Sequence, residues 1–211
     1  MKAKSFLTAL ALFTLLASPI NSSCSATVVT FDDLPLNTGT GSFVPSTYQG
    51  LVWSNFGDLN AVLYTSVHGS NGYYNGMVTA SNVALNAFGA PAEIDSPTNF
   101  NFLTAYLTGA FNSNLNIQVE GLRGGSLVYS QVVVASATSP TLFAFNYLNV
   151  DRLTFNAFGG QDAGFPVSQG AGDSHFAMDN LTIEFVPEPS SFLLTAAAAL
   201  MLWPLLKRKR A

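Results

Sequence analysis

Period-two alternation is the feature of this sequence that most restricts its fold. From Thr27 to Val186 apolar residues recur at every second position or gather in short runs, and no helical period persists for as long as about a dozen residues. Leu115-Asn116-Ile117-Gln118-Val119-Glu120 shows the alternation most plainly, with one face suited to a core and the other to water. The same reading predicts strands over residues 27–31, 50–56, 61–67, 100–107, 127–134, 141–145, 152–158 and 176–185. Turn-forming pieces separate them, among them Asn37-Thr38-Gly39-Thr40-Gly41, Ser70-Asn71-Gly72 and Arg123-Gly124-Gly125. Strands so short and numerous, with no break in composition, predict one all-β domain over residues 27–186. The expected architecture is an antiparallel β-sandwich, a jelly roll.

Charge is distributed unevenly. Of the eight basic residues, Lys2, Lys4, Lys207, Arg208, Lys209 and Arg210 lie at the two ends. Residues 27–186 hold only Arg123 and Arg152 against eleven acids, a net charge of −9, although the whole chain carries −4. A lysine-free body this acidic has no electrostatic footprint for nucleic-acid phosphates. It also lacks the lysine that a P-loop places on its phosphates. Such a charge favours divalent cations and repels anionic surfaces.

Both ends read as targeting segments. Residues 1–26 combine a basic start, an apolar stretch and the small-residue exit Ser23-Cys24-Ser25-Ala26, the layout of a secretory signal peptide with cleavage expected after Ala26. The alternatives are a retained anchor and a lipoprotein signal; against the latter, Asn21-Ser22-Ser23 lacks the large aliphatic residue expected before a lipidated cysteine. Cys24 is the single cysteine, so the mature domain is expected to hold no disulfide, thiolate metal site or cysteine nucleophile. At the other end, the apolar run from Phe192 to Leu206 rises about 22 Å as a helix against a hydrocarbon core of about 30 Å. It spans a membrane only with help from its flanks. Lys207, Arg208, Lys209 and Arg210 then fix the tail in the cytoplasm and the body outside.

The order Val186-Pro187-Glu188-Pro189, short apolar helix and terminal basic cluster resembles the PEP-CTERM sorting signal of exopolysaccharide-producing Gram-negative bacteria. The resemblance covers residues 186–211. It implies recognition of Pro187, Glu188 and Pro189 by a membrane-embedded exosortase, once signal peptidase has removed the leader. The precursor would be anchored in the inner membrane and the mature protein released or attached at the cell surface. An ordinary tail anchor is the alternative, although Pro-Glu-Pro has no role in one.

Three further pieces resemble landmarks of galactose-binding-like jelly-roll domains: Val29-Thr30-Phe31-Asp32-Asp33-Leu34, the stretch Tyr48-Gln49-Gly50-Leu51-Val52-Trp53-Ser54-Asn55-Phe56, and Phe176-Ala177-Met178-Asp179-Asn180-Leu181. In such domains acidic residues on the first and last strands can hold a structural calcium, which by position nominates Asp32, Asp33 and Asp179. Calcium takes six to eight oxygen ligands. Neighbouring aspartates in a strand point to opposite faces, so at most one of Asp32 and Asp33 can approach Asp179. Solvated or turn-capping aspartates are the alternative.

Carbohydrate binding would use exposed rings, and Trp53, Tyr64, Tyr73, Tyr74 and Tyr106 are candidates. Trp53, Tyr73 and Tyr74 are nominated as ligand-binding, the tyrosine pair because it sits in the loop-like stretch His68 to Gly76. With seventeen phenylalanines in the chain, most aromatic residues must simply fill the core. No catalytic residue is nominated. Asp173-Ser174-His175 has the residue types of nucleophilic catalysis, but they are adjacent rather than converging from separate segments. The expected function is therefore that of an exported, non-enzymatic surface or matrix protein that binds exopolysaccharide. The rivals are a secreted carbohydrate-active hydrolase using carboxylates such as Glu93, Asp95, Glu120 or Glu184, and a passive structural subunit.

Overall fold

The computed structural model describes residues 25–35, 41–166 and 173–187. Most of the leader, Glu188 and Pro189 of the sorting motif, the apolar tail and Lys207, Arg208, Lys209 and Arg210 lie outside the described residues. The strands are β1 (Thr27–Val29), β2 (Ser42–Phe43), β3 (Thr47–Tyr48), β4 (Leu51–Ser54), β5 (Phe56–Asn60), β6 (Asn82–Asn86), β7 (Ala92–Gly109), β8 (Asn112–Ser113), β9 (Leu115–Arg123), β10 (Ser126–Ala135), β11 (Thr141–Phe158), β12 (Gln161–Asp162) and β13 (Phe176–Phe185). Two short helices, α1 (Ala61–His68) and α2 (Gly72–Asn75), and a 3-10 turn (Ala87–Gly89) interrupt them.

The architecture is an antiparallel sandwich, and its two layers share their long strands. β7 and β11 run 18 residues each. The first part of β7 pairs with β4, and the last part of β11 pairs with both β7 and β9, which carries β10; this is one layer. The later part of β7 pairs with β13, which continues through β6 and β5 to β2; this is the other layer. β11 passes from one layer to the other through register shifts between Ala144 and Arg152, where Asn146 (φ 51) and Asn149 (φ 58) take the left-handed backbone that asparagine tolerates best among non-glycine residues. β1 lies beside β13, so the first and last strands are neighbours.

Interdigitated rings close the sandwich. Phe155 of the β4-side layer meets Phe56 on β5 and Phe176 on β13 at centroid distances of 5.6 and 6.1 Å. Burying a large side chain of this kind contributes roughly 1.5–3 kcal/mol. β9 keeps the predicted alternation, and the predicted strand over 176–185 coincides with β13, whose first four residues are all buried.

Two expectations are corrected. Residues 61–67 form helix α1, not a strand: Asn60 caps it by accepting the Leu63 N–H at 2.9 Å, and Gly69 ends it with φ 80. Local capping overrides the β propensity of Val62, Thr65 and Val67. Residues 50–56 are not one strand either, because Asn55 (φ 56) turns the chain from β4 in one layer to β5 in the other. α1 and α2 cover the outer face of the β5–β6–β13 sheet through a second small core that includes Leu59, Tyr73, Val83, Phe111 and Ala177.

Candidate functional site

A cleft of about 290 Å³ opens where β2, β5 and β6 meet the 3-10 turn and the start of β13. Its walls are two phenylalanines that burial in the core would have favoured. Phe43 is 61% exposed and Phe88 83%, and their ring centroids stand 6.3 Å apart with planes inclined at 58°. Ser42, Leu85 and His175 complete it, and Gly57 forms part of the floor: a Cβ there would come within 3.1 Å of the Ser42 carbonyl oxygen.

Buried asparagine holds this arrangement. Asn86, at the end of β6, donates through Nδ2 to the carbonyls of Ala90 and Ser174 at 3.2 and 3.0 Å, and its Oδ1 accepts the Phe176 N–H at 2.7 Å. One side chain therefore ties the Phe88 turn to the segment that carries His175. The Ser174 hydroxyl donates to the Gly89 carbonyl at 2.7 Å and Asn55 Nδ2 to Ala87 and Pro91, which fixes the turn from both sides. Phe88 itself sits at φ 59, ψ 17. A left-handed backbone at a bulky residue costs about 1–2 kcal/mol and concentrates where function requires it.

The polar groups of the cleft are equally fixed. Ser42 Oγ donates to the buried Asp58 carboxylate at 2.6 Å, leaving its lone pairs to accept. His175 donates through Nδ1 to Asp173 Oδ1 at 2.7 Å, which orients the ring and leaves Nε2 for a ligand. Among the described residues that line it, the cleft thus offers apolar ring faces, one hydroxyl and one imidazole, and no carboxylate.

The nominated rings fall elsewhere. Trp53 is 5% exposed, packs edge-on against Phe31 and Phe56, and donates its indole N–H to the Tyr48 carbonyl at 3.0 Å. Tyr73 is 4% exposed between Tyr64 and Phe111, and burial pushes its hydroxyl well above the ordinary tyrosine range. Neither can meet a sugar, because each is needed to fill a core. Tyr74 is exposed, on α2 and away from the cleft. Phe43 and Phe88 were not foreseen. The available signal was Asn86-Ala87-Phe88-Gly89-Ala90-Pro91, a bulky apolar residue in a Gly/Pro turn where no strand could bury it.

Of the nominated acids, the fold brings Asp32 and Asp179 together and turns Asp33 away. Asp33 accepts from the Tyr48 hydroxyl and, at 3.2 Å, from Gln49. Asp32 Oδ1 accepts the Asn82 N–H at 3.0 Å. Asp179, fully buried, accepts the N–H groups of Val78, Thr79 and Asn180 at 2.7–3.0 Å. Burial nevertheless pushes its carboxyl up to about 6, opposed by those N–H groups and aided by the charge of Asp32. Among the described residues no three His, Cys, Asp or Glu side chains converge on a metal position. As carboxylates, Asp32 and Asp179 would suit a hard, oxygen-seeking cation rather than a nitrogen- or sulfur-seeking one, but an ion there would compete with the N–H groups that already reach both Asp179 oxygens.

The carboxylates considered for hydrolysis are engaged on the sheet surface. Glu93 and Asp95 pair with Arg152, Glu120 accepts from Gln118 and Thr154, and Glu184 accepts from Asn101.

No protein-family model matches the chain, and no curated protein does. Among solved structures it is similar to TmCBM61 in complex with beta-1,4-galactotriose, at 9% identity and a TM-score of 0.33, over 69% of this chain and 98% of that one. It is also similar to the enzymatically active domain of bacteriophage CBA120 tailspike protein 4, at 10% identity and a TM-score of 0.30, over 78% of this chain and 20% of that one. At that similarity neither ligand nor activity transfers to this chain.

Proposed function

We propose that this protein is an exported, non-enzymatic surface protein that holds a neutral segment of extracellular polysaccharide between Phe43 and Phe88. The exposure of those two facing rings carries the reading. A saccharide presents C–H faces that stack on aromatic rings and hydroxyls that reach groups such as Ser42 and His175. An acidic body disfavours a polyanionic glycan. The described residues lining the cleft include no carboxylate, which supports binding over glycoside hydrolysis, since that needs a pair of them.

In this reading the chain leaves the cell through its signal peptide, is held briefly in the inner membrane, and is processed by an exosortase at Pro187-Glu188-Pro189. A structural calcium on Asp32 and Asp179 would secure β1 against β13. The decisive experiment is a neutral-glycan array probed with the full chain and with Phe43→Ala and Phe88→Ala. Binding lost in both variants supports the cleft; no glycan bound by the wild type, or binding unchanged in both variants, removes it. Intact mass measurement of the surface-exposed protein tests the sorting route, since a chain still ending at Ala211 would refute processing.

A further inference from the structure

Among the described residues three buried side-chain oxygens lack a hydrogen-bond partner: the Thr108 hydroxyl, which can also donate, and two pure acceptors, Asp173 Oδ2 and Asn112 Oδ1. The Asp173 side chain is 2% exposed, and its Oδ1 accepts both the backbone N–H and the ring Nδ1–H of His175, at 2.8 and 2.7 Å. Its Oδ2 is buried with no hydrogen-bond partner. Asn112, fully buried on β8, donates Nδ2 to the Asp173 carbonyl at 2.9 Å, and its Oδ1 is also buried and unpartnered. Turning the amide over would set two oxygens face to face, so the orphan at Asn112 is an acceptor by necessity.

Buried acceptors without donors are strongly disfavoured, and a buried carboxylate oxygen most of all. The surrounding protein does not relieve this one. The Tyr64 and Tyr73 hydroxyls feel the Asp173 charge, which helps push both of them upward, but neither supplies Oδ2 with a donor. Arg123 and Arg152, the basic residues of the body, are occupied by the Leu148 and Asn149 carbonyls and by Asp95. A water molecule could donate to both oxygens but brings no positive charge, and the basic ring against Asp173, that of His175, is spent on Oδ1. A divalent cation answers the oxygens and the charge together.

We propose that Asp173 Oδ2 and Asn112 Oδ1 bind a calcium ion, with main-chain carbonyls and water completing its oxygen shell. This site is distinct from the Asp32–Asp179 pair and does not depend on the glycan reading. It would brace the residue that orients His175.

Terbium, which replaces calcium and is excited through neighbouring tyrosines, reports on the site when added to the purified full chain. Saturable luminescence, displaced by calcium, is expected in the wild type and in Asp179→Asn. In the Asp179→Asn background, which removes the other cation pair, it should weaken by at least about tenfold when Asp173→Asn or Asn112→Ala is added. No luminescence in the wild type, full retention when Asp173→Asn is added to Asp179→Asn, or loss complete in Asp179→Asn alone would each overturn the proposal. Metal-free melting curves separate loss of the site from loss of the fold. Should both site variants fail to fold, the Asp179→Asn protein decides alone: a melting temperature that calcium does not raise overturns the site.

Discussion

Phe43 and Phe88 face each other across 6.3 Å from two segments with no local relationship, an edge strand and a left-handed turn. Stability alone would place neither ring there. Phe88→Gly relieves the backbone at φ 59 and is expected to leave stability unchanged or raise it by up to about 1 kcal/mol, while glycan affinity falls by about tenfold. Urea denaturation and glycan titration of the same sample check both halves. Loss of stability with intact affinity would assign Phe88 to packing.

Trp53 should behave in the opposite way. Trp53→Ala removes a buried ring that touches Phe31 and Phe56 and is expected to lower stability by about 3–5 kcal/mol, with glycan affinity of the remaining folded protein unchanged. Tyr74→Ala, on the surface of α2, should change stability by no more than about 0.5 kcal/mol. Thermal melts of the two variants distinguish a core ring from a surface one.

Asp179 makes stability depend on pH. Its carboxyl, pushed up to about 6 in the fold from 3.8, favours the protonated form on folding. Its contribution is therefore fully present below about pH 4 and is lost as pH rises towards about 6, a difference on the order of 3 kcal/mol. Urea midpoints at pH 4 and pH 7 should show the wild type losing stability relative to Asp179→Asn as pH rises. A constant difference would show that the shift is absent.

Calcium at the Asp32–Asp179 pair requires the ionised carboxylate. In an Asp173→Asn background, which removes the second cation site, calcium should raise the melting temperature at pH 7 and much less at pH 4.5. An equal rise at both pH values, or none at either, would count against a cation there.

Close approach of two backbones predicts a sharper mutational contrast. A Cβ on Gly72 would lie 1.8 Å from the Gly109 carbonyl oxygen, so Gly72→Ala must displace α2 from the sheet and is expected to lower stability by about 2–3 kcal/mol. At Gly124, where nothing lies within 4 Å, alanine meets only the strain of φ +55, about 1 kcal/mol. Chemical denaturation of the two variants orders them.

Much of the fold was legible because it is written in local periodicity. β9 alternates over nearly its whole length and β13 over its second half, and there the side chains are sorted between core and the outer face by that pattern, whereas β10 is exposed along most of its length. The long strands β7 and β11 were less visible because each changes layer along its length. Asn146 and Asn149 therefore looked like the end of one strand rather than a bend within it. α1 was missed because eight residues bearing Val62, Thr65 and Val67 look like a strand until Asn60 is seen as a cap.

By itself the sequence determined an antiparallel sandwich, a lysine-free acidic body and the lack of a P-loop lysine or a nucleic-acid footprint in that body, since all three follow from composition and short-range pattern. Only the tertiary structure decided which of the aromatic residues stand outside and which acids meet. Those outcomes rest on contacts such as Asn86 to Phe176, 90 residues apart, and Val78 to Asp179, 101 apart. A ring or a carboxylate carries the same local signal whether the chain later covers it or leaves it open; burial is set by the strands that return to it.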